Sequence, residues 1–323
     1  MSQATVSSPP ASRGLLRAVA VAAADIKLAH TVFAMPFALL GAFMALPADL
    51  GWGPTAAKLA LVVVCMVAAR TWAMLFNRLA DHRLDADNPR TTARAIASGR
   101  LSIAQGWGLA IASAALFVAA AAAFWPLFDN PWPARLALPV LLWIALYSLT
   151  KRVTALCHLV LGSALALSPL SAAIALDPTA VGLAANTTTA LVSTPTTPAL
   201  FAIAAMVLVW VAGFDVIYAL QDMDHDRRVG LHSLPAALGQ RRAIWVSRAL
   251  HAIAIGALAT AGALEPRFGP IYAAAVALVA ALLLAEHAIL ARRGRDGLQA
   301  AFFTVNGIVS LVFSALATLD LLA

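Results

Sequence analysis

Charge is what this sequence has least of. Only 11% of its 323 residues are Asp, Glu, Lys or Arg, 62% are hydrophobic, and a mean hydropathy of +0.86 excludes a soluble globular domain. Alternating apolar and polar residues in blocks of ~10 are missing, which excludes a transmembrane β-barrel. Cysteine is nearly absent: Cys65 and Cys157 both fall in apolar runs, so neither a structural disulfide nor a zinc site is supported. No repeat recurs at a period of roughly 20–50 residues. The first ~20 residues lack an apolar core followed by a cleavage site, so a removed signal peptide is not expected. Residues 1–24 read instead as a flexible cytoplasmic tail ahead of a single transmembrane domain, 25–323.

What is abundant is apolar sequence in lengths that cross a lipid bilayer, about 20 helical residues each. Nine such spans are predicted, near 26–47, 57–80, 103–125, 134–151, 154–176, 200–221, 243–263, 270–291 and 301–322. The fold class is therefore all-α, a polytopic bundle of about nine transmembrane helices around a central cavity facing the cytoplasm. The net charge of +7 does not indicate a nucleic-acid partner, because its distribution follows the membrane. Of the 22 Lys and Arg residues, 18 fall on one set of alternate loops and helix ends, three on the other set, and Arg70 within a span. The positive-inside rule then sets the N-terminus in the cytoplasm and, with nine spans, the C-terminus outside, as expected in a bacterial inner membrane.

The few acids are spaced, not scattered. Asn77, Asp81 and Asp85 follow the second span at steps of four, and Asp222 and Asp226 repeat the step after the sixth. Each step advances only about 40° round a helix, so each set forms one oxygen-bearing stripe. Neither stripe carries a Lys or Arg at the same spacing. Facing carboxylates repel, and a hard divalent cation that also accepts phosphate oxygens reverses the repulsion, so the pair reads as a Mg²⁺–diphosphate site. Asp215 shares the face of Asp222 and Asp226 on a straight helix, deeper in the membrane, where an unpaired carboxylate is costly.

Basic residues accompany the acids. Arg83, Arg90, Arg94 and Arg100 surround the first stripe, and Pro89 stops any helix there. Lys151 and Arg152 end the fourth span; they read as topology anchors taken alone and as charge partners beside a diphosphate. Lys27 and His30, a turn apart at the start of the first span, suit either snorkelling and head-group contact or substrate contact. His251, Glu286, His287 and Asn306 read as packing or interfacial residues. Asn186-Thr187-Thr188 fits a glycosylation pattern too short to carry a function.

Asn77-x3-Asp81-x3-Asp85 with Asp222-x3-Asp226 resembles the two Asp-rich motifs of the UbiA-type intramembrane aromatic prenyltransferases. The resemblance runs from Lys27-x2-His30-Thr31 through Asn88-Pro89-Arg90-Thr91 and Tyr147-x3-Lys151-Arg152 to Tyr218-Ala219-Leu220-Gln221-Asp222, and is strongest for the 4-hydroxybenzoate polyprenyltransferase-like branch. It implies transfer of a polyprenyl group from its diphosphate to an aromatic acceptor in ubiquinone or menaquinone synthesis. Two Mg²⁺ ions would bridge the diphosphate to Asn77, Asp81, Asp85, Asp222 and Asp226, with Asp81 and Asp222 central to catalysis. Lys27, His30, Arg83, Arg90, Arg94, Lys151, Arg152 and Tyr218 would contact substrates, and Tyr147, Tyr218 and Asp215 are candidates for cation stabilisation, acceptor contact or proton transfer. Two departures stand out: Arg78 replaces an Asp common in the family, and Arg94-Ala95-Ile96-Ala97-Ser98-Gly99 replaces a proline-containing stretch. Haem farnesyl transfer and phospholipid-type prenyl transfer are the alternatives within the enzyme class. A cation-coupled transporter is the alternative outside it, opposed by acids that sit at one membrane face and not at the midplane.

Overall fold

The computed structural model describes residues 14–26, 34–47, 50–183, 194, 196–294 and 304–323. Among them the chain is helical and has no sheet. The elements are α1 (Leu15–Asp25), α2 (Met35–Met44), α3 (Trp52–Ala80), α4 (His82–Ala86), α5 (Ile103–Phe128), α6 (Trp132–Thr150), α7 (Cys157–Leu176), α8 (Thr196–Tyr218), α9 (Met223–Val229), α10 (Leu234–Leu238), α11 (Gln240–Leu264), α12 (Pro270–Arg293) and α13 (Asn306–Leu322).

Seven of these, α3, α5, α6, α7, α8, α11 and α12, are long and apolar enough to cross a membrane. The protein is thus an integral, multi-pass membrane protein. In the first and last predicted spans the described residues form the shorter apolar helices α2 and α13, which are not among the seven, and parts of both spans fall outside the described residues. Pro36 lies in the first turn of α2, where a missing N–H goes unnoticed. Where the tail was expected to be flexible, residues 15–25 form α1. Alanine favours helix, and Ala18, Ala22 and Ile26 repeat at four-residue intervals and bury against Leu75, Leu79 and Ala110.

Helix α8 is apolar all round, as a helix buried on every side must be. Ile203, Val207, Trp210 and Val211 are fully enclosed, with α7 on one flank and α11 on another. Lipid tails are as apolar as Leu, so close backbone approach supplies much of the attraction between such helices. A Cβ at Gly162 of α7 would lie 2.1 Å from the Leu208 carbonyl oxygen of α8, and one at Gly41 of α2 would lie 2.2 Å from that of Pro169. Gly162→Val is therefore expected to force α7 from α8 and lower the Tm of the detergent-solubilised protein, as overpacking costs roughly 1–3 kcal/mol. A wild-type Tm would show that the two helices separate freely.

Polar groups stitch the same core. Trp210 Nε1 donates to Asn306 Oδ1 at 2.8 Å, and Asn306 Nδ2 donates to Glu286 Oε1 at 3.0 Å, joining α8, α13 and α12. Glu286 and Asn306 are therefore packing residues, as their sequence context suggested.

Candidate active site

The stripes form at helix ends, and neither runs along an unbroken helix. Helix α3 stops at Ala80 and α4 restarts at His82, but Asp81 N–H still donates to Asn77 O (3.0 Å) and Asp85 N–H to Asp81 O (2.8 Å), so the four-residue step survives. The second stripe is altered more. Residues 219–221 tighten into a 3₁₀ turn between α8 and α9. At three residues per turn, that adds roughly 20° per residue over an α-helix, so the straight-helix angles relating Asp215 to Asp222 do not hold. The Asp222–Asp226 step is intact, with Asp226 N–H to Asp222 O at 2.7 Å.

Both stripes line one polar cavity of about 220 Å³, together with Tyr147, Lys151, Arg152, His158, Asp215 and Tyr218. It adjoins a larger, mainly apolar cavity of about 720 Å³ walled by Val62, Met66, Phe117, Ala121, Phe124 and Leu136. Asn77, Arg90, Arg94, Tyr147, Asp215 and Tyr218 line both. Along α7 the apolar cavity runs from Leu161 to Ala175, roughly 20 Å at 1.5 Å per residue.

The sequence reading left the acids without neutralising partners, and the fold supplies them from elsewhere. Arg152 reaches Asp81 (2.7 Å), Arg94 reaches Asp85 (2.6 Å), and Lys151 Nζ lies 2.7 Å from Asp226 Oδ1. Arg90 clamps Asp222 through both Nε (2.8 Å) and Nη2 (2.5 Å), while its Nη1 donates to Tyr218 Oη at 3.1 Å. Asn88 Nδ2 adds a donor to Asp222 at 3.1 Å. Repulsion between bare carboxylates is thus not what the site presents; each of the four carboxylates faces one cation.

The balance differs between the motifs. Burial pushes the Asp222 carboxyl up, but the hydrogen bonds and charge of Arg90, with Asn88 and Lys151, outweigh it and hold the group below the usual carboxylate range. At Asp81 burial wins over Arg152, and the carboxyl sits above that range.

Five oxygen-bearing side chains in one small cavity are a donor set for a hard cation. Asp85 Oδ2 is buried with no hydrogen-bond partner among the described residues, an acceptor such an ion would satisfy. In the present arrangement the acids are turned to their cations, and among the described residues no three His, Cys, Asp or Glu side chains converge on one point. The residues suit a divalent ion in kind, and receiving one requires the ion pairs to reorganise.

Most of the residues expected in the site are brought together. Arg83 is not: it is exposed and lines neither cavity. Lys27 and His30 lie outside the described residues. Three contributors went unread in the sequence. Asn88 holds Asp222. Arg70, noted only as a charge within a span, lines the apolar cavity, and its buried Nε has no partner among the described residues. His158 binds Asp215, with Nδ1 2.6 Å from Oδ2. Two polar residues inside apolar spans were the available signal for that last pair.

Arg78, the departure from the family pattern, is buried and paired. Its Nε donates to Asp25 Oδ2 of α1 at 3.1 Å, and Nη1 donates to Asn77 Oδ1 at 3.1 Å. The other oxygen of Asp25 accepts from Ala95 N–H at 2.7 Å.

An acid-lined polar pocket adjoining a long apolar cavity, inside a helical membrane bundle, is an architecture suited to an intramembrane enzyme. A sequence model of the UbiA prenyltransferase family matches residues 34–308, and the chain belongs to that family. It is similar to a 4-hydroxybenzoate octaprenyltransferase of Tolumonas auensis, with 28% identity over 81% of this chain and 84% of the relative. It is also similar to a 4-hydroxybenzoate solanesyltransferase of Synechocystis, with 29% identity over 51% and 49%. Among solved structures, an apo UbiA homolog from Aeropyrum pernix K1 superposes with a TM-score of 0.76 at 31% identity, covering 91% of this chain and 98% of that one. The fold is shared with a UbiA homolog from Archaeoglobus fulgidus solved with GPP and Mg²⁺, at a TM-score of 0.64 and 19% identity over 94% and 100%.

Proposed function

We propose that this protein transfers a polyprenyl group from its diphosphate to a ring carbon of an aromatic carboxylic acid, with 4-hydroxybenzoate the preferred acceptor, in quinone synthesis. The observation that carries the reading is the junction of the acid-lined pocket with the apolar cavity, which suits a substrate with a charged head and a long apolar tail. Names of the curated relatives agree with it. By the positive-inside distribution, the acid end faces the cytoplasm.

Asn77, Asp81, Asp85, Asp222 and Asp226 would hold Mg²⁺, two ions by the family resemblance. The metal supplies charge stabilisation at the phosphate oxygens of the leaving group. Arg90, Arg94, Lys151 and Arg152 already stand at this pocket, and phosphate oxygens offer them partners equivalent to the carboxylates they now hold. Departure of diphosphate leaves an allylic cation, which the apolar cavity shields from water and the rings of Tyr147 and Tyr218 face at the junction. Arg70 supports an acceptor that carries a carboxylate. A guanidinium with an unpartnered nitrogen, set inside a membrane span, calls for an anion from the substrate, and an aromatic carboxylate meets that need.

The test is label transfer. Membranes containing the protein receive radiolabelled polyprenyl diphosphate with and without Mg²⁺, and 4-hydroxybenzoate or a naphthoate in parallel. Mg²⁺-dependent label in lipid-extractable prenylated 4-hydroxybenzoate is expected. Hydrolysis of the diphosphate with neither ring labelled would sink the acceptor assignment.

A further inference from the structure

We propose that His158 is a positioning residue for removal of the ring proton, acting through Asp215; the inference rests on the aromatic prenyl-transfer reading above. In that reaction the prenyl C–O bond breaks and its electron pair leaves with the diphosphate. A pair of ring π electrons forms the new C–C bond. The attacked carbon still carries its hydrogen, and loss of that proton restores aromaticity. A base is therefore needed where the two cavities meet.

Asp215 lines both cavities. Five carboxylates line the small cavity, and among the described residues Asp215 is the one paired with neither Lys nor Arg. Its partner is instead the imidazole of His158, which holds one carboxylate oxygen and leaves the other unclaimed by guanidinium or ammonium. Its Nε2 accepts the backbone N–H of Leu234 at 3.2 Å, which sets the ring's proton on Nδ1, and Nδ1–H donates to Asp215 Oδ2 at 2.6 Å.

Both ring nitrogens are thus engaged and the side chain is only 3% exposed, so His158 itself does not reach an acceptor. Asp215, at 24%, does, and with Oδ2 tethered it has Oδ1 for the cavity. The tether is braced in turn by the segment after α9. His232 N–H donates to Lys151 O at 2.7 Å, and Ser233 Oγ donates to Asp226 Oδ2 at 2.8 Å. This strand of chain sets the imidazole and closes over the second acid stripe at once.

The test uses the full-length protein with geranyl diphosphate and 4-hydroxybenzoate, either protiated or deuterated at the two carbons ortho to the hydroxyl. In the wild type, ionisation is expected to limit the rate, and the isotope effect on kcat should be near unity. His158→Leu is expected to lower kcat roughly 10–100-fold, the range of a misplaced general base, and to unmask an isotope effect of about 2 or more. The KM for geranyl diphosphate should stay near the wild-type value. His158→Gln, whose amide offers N–H to Asp215 and a carbonyl to Leu234 N–H, should recover most of the rate and return the isotope effect toward unity. Full turnover in His158→Leu, or a reduced kcat with the isotope effect still near unity in every variant, would overturn the assignment while leaving prenyl transfer standing. Absence of prenylated 4-hydroxybenzoate from the wild type would overturn both.

Discussion

Asp222→Asn is expected to lower product formation by at least a hundredfold at saturating polyprenyl diphosphate, while the protein still reaches the membrane. Two losses combine. Asn lacks the charge with which Asp222 would bind a divalent cation, whose stabilisation of a leaving group is worth several kcal/mol. It also releases Arg90, now clamped through Nε and Nη2 and tied onward to Tyr218. A freed guanidinium in this pocket would compete with the incoming ion for the remaining acids. The measurement is the initial rate of label transfer across a Mg²⁺ titration, with expression followed in parallel. Wild-type turnover would remove Asp222 from the metal assignment.

The second large effect is expected at Arg70. Arg70→Leu should raise the KM for 4-hydroxybenzoate by about 30-fold or more and leave the KM for the diphosphate within about twofold, since removing one member of a desolvated charge pair typically costs 2–5 kcal/mol. Separate titrations of the two substrates would resolve this. An unchanged acceptor KM would mean that the carboxylate is held elsewhere, and a matching rise for the diphosphate would move Arg70 to the phosphate end.

The parts of this architecture that sequence alone made legible are those written locally. Apolar runs of membrane length stand out against so few charges, and a four-residue acid step is a helical signal even where, as at Asp81, the helix itself breaks. The partners of those acids are not local. Arg90 and Asp222 are 132 residues apart, Arg152 and Asp81 are 71, and no periodicity relates them. Residues that would otherwise be read as topology anchors, Lys151 and Arg152, turn out to face one motif each. His158 was invisible for a different reason. A single histidine at the start of an apolar helix carries no pattern, and its meaning depends on Asp215 lying opposite in α8. The 3₁₀ turn at 219–221 likewise has no distinctive residue to announce it.

Both departures from the family's sequence pattern meet at Asp25. Arg78 Nε donates to its Oδ2, and Ala95 donates to its Oδ1 through an N–H that a proline, as the family resemblance would place there, would lack. The loop is thereby braced sideways, by Asp25 of α1. The N-terminal helix becomes a strut, fixed at one end to the loop bearing Arg90 and Arg94 and lying along the membrane-spanning α3 and α5. A load on that helix, from a fused domain, a deletion or a change at the membrane surface, is therefore delivered to the cations that face Asp85 and Asp222.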